Sequence, residues 1–145
     1  MNALSFDRER VYGDTHTVSV PVRLANLPYL VDAILDTGAA VSSFDRALLP
    51  DLGITDVRSG KDIHVTAANN ERGVAYVHTV RVEVLGHVLM IPIAFCPDWP
   101  EGTRNLLGMR GFFEQALIAF EHQQRKIHYT ITGPSVWSSG LGPLS

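Results

Sequence analysis

The chain has one cysteine, Cys96, so no disulfide can form within it, and a reducing compartment is the expected setting. It has no run of about 18 apolar residues, so no segment is expected to cross a bilayer as a helix. It has no basic run either. Twelve Lys and Arg are scattered against fifteen Asp and Glu, a formal charge of −3. That excludes an electrostatic case for nucleic acid or an anionic membrane surface. Residues 1–14 are polar and charged and lack the apolar centre of a secretory signal. A soluble, cytoplasmic protein is expected. Metal-ligand spacing is also missing. His16, His64, His78, His87, His122 and His128 lie on different segments, with no i, i+4 pair and no second cysteine. No metal and no cofactor is expected. Gly108-Met109-Arg110-Gly111 lacks the lysine and the longer frame of a phosphate loop.

What is present is an ordinary apolar fraction, 46%, with 19% charged residues over 145 positions. That is enough chain for one domain with a real core. The domain is expected over residues 1–132, and residues 133–145, rich in Gly, Ser and Pro, as a flexible tail. Period-2 alternation dominates. Val18, Val20, Val22 and Leu24 share one face of a strand, and Pro21 favours a sheet edge. Tyr29–Leu35 and Val41–Phe44 read as strands, and so does a segment beginning at Ile63. Val74–Leu85 and Val88–Phe95 form a hairpin, with Gly86-His87 in a type II′ turn. Ala116–Phe120 and Lys126–Thr132 flank a polar turn. Only Arg46–Leu49, capped by Asp45, and Met109–Gln115 read as helices, both short. The fold class is all-β and barrel-like.

One stretch stands out. Ala33-Ile34-Leu35 runs straight into Asp36-Thr37-Gly38-Ala39-Ala40-Val41, which places a carboxylate at the mouth of a buried strand. Gly38 is expected to turn the backbone there with positive φ. Seventy residues later comes Leu106-Leu107-Gly108. Ser42 and Ser43 have no nucleophile-elbow frame, so support by hydrogen bonding is their expected role. Cys96 reads as a packed thiol.

Leu35-Asp36-Thr37-Gly38-Ala39, followed by a turn at 66–73 and then Leu106-Leu107-Gly108, resembles the retropepsin-like aspartic proteases over roughly His16 to Ile131. The resemblance implies a single-lobe acid-protease barrel with a flap hairpin and one or two short helices. It implies Asp36 as the catalytic acid, with Thr37, Gly38 and Ala39 supporting the loop. Thr66, Ala67, Ala68 and Asn69 become the flap over bound peptide, and Leu106, Leu107 and Gly108 the cleft wall. Two positions depart from the viral pattern. Ala40 and Met109 stand where an Asp and an Arg often form an ion pair, which points to a cellular or bacterial member. Both charges are missing together, so none is stranded.

Aspartic proteases activate water between two carboxyls that share a proton, because two such groups about 3 Å apart cannot both ionise. This chain holds one Asp-Thr-Gly and no second Asp-Thr-Gly or Asp-Ser-Gly. A two-fold homodimer acting on peptides or proteins is therefore expected. Strand Lys126–Ile131 or the N-terminal arm would join the subunits. The alternative is an inactive protease-like module for dimerisation or peptide binding.

Overall fold

Alternating residues make strands wherever the expectation placed long ones. A computed structural model describes residues 5–14, 16–67 and 69–133. Within them the strands are β1 (Arg8–Val11), β2 (Ser19–Leu24), β3 (Val31–Leu35), β4 (Ser42–Ser43), β5 (Lys61–Thr66), β6 (Arg72–Val84), β7 (His87–Phe95), β8 (Asn105–Leu107), β9 (Ala116–Glu121) and β10 (Lys126–Ile131). The all-β expectation holds. No helix among the described residues is long and apolar enough to cross a membrane.

Six strands close a ring. β2 pairs with β3, β3 with β8, β8 with β4, β4 with β7, β7 with β6, and β6 returns to β2. β5 extends from the first half of β6 as a hairpin. Val20, Val22, Leu24, Val82, Val84, Leu89, Ile91, Ile93, Phe95 and Leu107 fill the interior. A second sheet, β1-β10-β9, packs Ile127, Tyr129 and Ile131 onto the same core. The N-terminal residues thus supply an edge strand.

Five details differ from the sequence reading. β2 is internal, not an edge, yet Pro21 is accommodated. Leu35 N–H donates to Val18 O, and the alternation of an antiparallel ladder then turns the Pro21 nitrogen away from β3. On the other flank, pairing with β6 begins only at Val22. The β6–β7 turn is Leu85-Gly86, with φ of 50° and 78°, and Val84 pairs with His87. Two positive φ values make it type I′, not II′. Leu85 holds this unusual conformation because its side chain is buried in the core. Met109–Gln115 is not a helix throughout. Only Phe113–Gln115 forms a 3-10 turn, since Gly111 (φ 86°) breaks the run and residues 109–110 bond elsewhere. The loop expected over Asp51–Asp62 contains a 3-10 turn, Val57–Ser59, and β5 begins within it at Lys61. The short helix expected over Arg46–Leu49 is only a 3-10 turn over Arg46–Leu48, capped by Asp45 as read from the sequence. Most of the tail, residues 134–145, lies outside the described residues.

Candidate active site

β3 carries Asp36 on a rigid base. Ala33 and Leu35 are buried, and β3 runs parallel to β8 with Leu35 opposite Leu107. Asp36 N–H extends that ladder by donating to Leu107 O at 2.9 Å. The chain then turns sharply, with Ala39 N–H bonded to Asp36 O. Gly38 N–H donates to Asp36 Oδ1 at 2.8 Å, which fixes one carboxylate oxygen. The other, Oδ2, has no partner among the described residues. The carboxylate is partly buried and faces no cation there.

Gly38 suits the site for a reason other than the one expected. It does not adopt positive φ. A Cβ at this position would sit 3.1 Å from Asp36 Oδ1 and press on the carboxylate. Thr37 is exposed, and its hydroxyl has no partner among the described residues.

The two distant motifs meet. Met109 N–H donates to Ala39 O at 2.8 Å and Arg110 N–H to Ala40 O at 3.0 Å. Val41 and Arg110 form an isolated bridge. The strands cross so closely that a Cβ on Gly108 would lie 2.7 Å from both Ala39 O and the Val41 carbonyl carbon. Gly108 N–H donates to the Ser42 hydroxyl at 3.0 Å, so the hydrogen-bonding role expected of a serine here holds for Ser42. Of the three residues read as a wall, Leu107 is fully buried in the barrel and Gly108 lies beneath the loop. Leu106 alone keeps partial exposure.

The β5–β6 hairpin carries Thr66, Ala67 and Asn69 at its tip. Ala68 lies outside the described residues. Ala67 N–H bonds Glu71 O, Asn70 (φ 65°) bonds Ala67 O, and Asn69 Oδ1 accepts from Glu71 N–H. Along the hairpin, Ile63, Val65 and Val77 pack with Val41 and Trp99 around Ala75, Ala94 and Cys96. Val41 follows the Asp36 loop directly, so hairpin and loop share one small apolar cluster. Cys96 is the packed thiol expected, and burial pushes its pKa up. A Cβ on Gly73 would meet Cys96 Sγ at 2.8 Å.

A profile of the family described as gag-polyprotein putative aspartyl protease matches residues 20–114. The chain belongs to that family. The gag-type aspartyl protease region takes in the Asp36 loop, the β5–β6 hairpin and Leu106-Leu107-Gly108. It ends ahead of β9, short of the Ile131 expected from the resemblance, so β1, β9 and β10 lie outside it. Among curated proteins no sequence matches. In this aspartyl protease domain the described residues contain no group of three or more His, Cys, Asp or Glu able to hold a metal ion.

Sequence reasoning missed the part played by Asn105. Its Oδ1 accepts from Asp45 N–H and its Nδ2 donates to Asp32 O. It thereby ties β8 to both β3 and the turn after β4. Nothing in the local sequence signals this, because all the partners are far away in the chain.

Proposed function

We propose that the protein is an aspartic endopeptidase, active as a homodimer, that hydrolyses extended peptides. The observation that carries this reading is the meeting of the two motifs. One carboxylate, at the end of a buried strand, has one oxygen held by Gly38 and the other unpartnered, over a tightly crossed segment.

In this mechanism Asp36 and its mate across a two-fold axis share one proton. The ionised carboxylate takes a proton from the attacking water, and the protonated one donates to the carbonyl oxygen of the scissile amide. The gem-diol so formed collapses as the carbon–nitrogen bond breaks, with the carboxyl that took the water's proton giving it to the leaving nitrogen and the other taking back the hydroxyl proton; no covalent bond to the enzyme forms. Gly38, lacking a side chain, leaves room for the carboxylate. Ala39 anchors the loop on Met109, and the exposed Thr37 hydroxyl is available to the partner subunit. The tip at Thr66, Ala67, Ala68 and Asn69 acts as the flap, laying the peptide along it as an added strand. Leu106, Leu107 and Gly108 form or back the cleft wall.

Cleavage of a peptide library at acid and neutral pH, by wild type and by Asp36→Asn, tests the reading. Hydrolysis should fall by about 10²- to 10⁴-fold in the mutant, as for a lost general acid or base, while the dimer mass persists. Cleavage undiminished in Asp36→Asn rules the mechanism out. Tight binding of peptides with no cleavage by wild type favours the inactive binding module instead.

A further inference from the structure

Besides two tyrosines and Cys96, Ser42 and Glu83 are the buried polar side chains among the described residues. Glu83 meets two arginines at the barrel seam. Ser42 is fully buried in β4, between β7 and β8, and its hydroxyl accepts from Gly108 N–H. That amide belongs to the same peptide group as Leu107 C=O, and Leu107 O accepts from Asp36 N–H at 2.9 Å. One peptide plane is therefore held at both ends, by Asp36 through its carbonyl and by Ser42 through its amide.

We propose that Ser42 is a positioning residue for Asp36, acting through the Leu107–Gly108 peptide. The inference rests on the aspartic endopeptidase reading. β8 ends at Leu107, so the Gly108 amide has left the ladder and takes its acceptor from a side chain. Without the hydroxyl the amide is buried and unpaired, a state that structures avoid by moving. The easiest movement is rotation of the peptide plane, which swings Leu107 O away from Asp36 N–H. The two bonds also polarise one another, so loss of one weakens the other. Gly108 permits such rotation because no Cβ resists it, yet it cannot shift outward against Ala39 and Val41. The other crossing bonds, from Met109 and Arg110, grip the loop beyond Asp36 and leave the carboxylate's own anchor untouched.

The test compares Ser42→Ala and Ser42→Thr in the full chain by amide hydrogen exchange and by kinetics on a peptide that wild type cleaves. In Ser42→Ala the Asp36 amide should exchange at least about tenfold faster while β6 and β7 amides keep their protection. kcat should fall by about 10- to 100-fold, as for a small misplacement of a reacting group, with KM within about twofold. Ser42→Thr, which keeps the hydroxyl, should recover both. If Ser42→Ala does not fold, Ser42→Cys, which offers only a weak acceptor, is read in the same way. Unchanged Asp36 exchange, faster exchange spread over all strands alike, or no recovery in a folded Ser42→Thr overturns the proposal. If wild type cleaves nothing, the endopeptidase reading fails, and the exchange data still decide whether Ser42 holds the Asp36 anchor.

Discussion

Glycine serves the site in two different ways, neither of them a left-handed turn. At Gly38 the neighbour is a carboxylate oxygen; at Gly108 it is backbone on two residues. A carboxylate can swing, but crossed backbones cannot. Gly108→Ala should therefore be the harsher change. It forces a Cβ to 2.7 Å of Ala39 O and the Val41 carbonyl carbon, an overpacking that costs about 1–3 kcal/mol or more. Thermal unfolding of Gly108→Ala against wild type measures it, and an unchanged midpoint contradicts the close crossing. The sequence displayed both glycines inside recognisable motifs, and Asp36 with them. It could not display their contacts, because Gly108 meets residues some seventy positions earlier.

Elements were legible in proportion to their length. β6 carries a long run of alternation, β7 a continuous apolar run of strand length, and β2 shows alternation clearly over six residues. β8 has three residues and β4 two, too few for any period to show. These two are strands only because the barrel supplies partners on both sides. In sequence Gly86 is the strongest turn signal and puts the hairpin turn one residue late, whereas buried Leu85 takes the first turn position. The seam between β2 and β6 was invisible in sequence. There Arg23 and Arg81 flank Glu83, at 3.4 and 2.9 Å, opposite a short three-residue pairing. Glu83→Ala leaves both guanidiniums without this carboxylate. Each is about 30% exposed (30% and 31%) and partly rehydrates. The loss should therefore be about 1–3 kcal/mol, below that of a fully buried pair. Urea unfolding of Glu83→Ala tests it. Loss of less than about 0.5 kcal/mol, the range of ordinary surface changes, means the seam does not depend on this cluster.

The proposed chemistry needs a second carboxylate, and the arrangement of the whole molecule bears on where the second copy docks. Strand Lys126–Ile131, one of the two joining segments expected from sequence, is β10, the middle of its sheet, paired on both sides. It has no free edge to offer. The edges are β1 and β9. β1 carries Arg8, Glu9 and Arg10, and charge on an edge strand opposes pairing with a copy of itself. β9 reads Ala-Leu-Ile-Ala-Phe-Glu, with no charge before its last residue. Thr132 N–H donates to Gln115 O, and antiparallel alternation then turns the backbone groups of Leu117 and Ala119 toward β10. Those of Ile118 and Phe120 point out from the edge, where no bond is made among the described residues. Leu117 and Phe120 are also exposed, at 46% and 44%. Two copies joined antiparallel along β9 would satisfy these groups and set a partner strand beside both side chains, which lie on opposite faces of the sheet. Sedimentation of Leu117→Glu and Phe120→Pro should give a folded monomer, by circular dichroism, where wild type gives a dimer. The expected weakening is at least about tenfold, or 1.4 kcal/mol, and peptide cleavage should fall in step with dimer content. Variants that stay dimeric place the interface elsewhere, and a wild type that cleaves as a monomer removes the need for one.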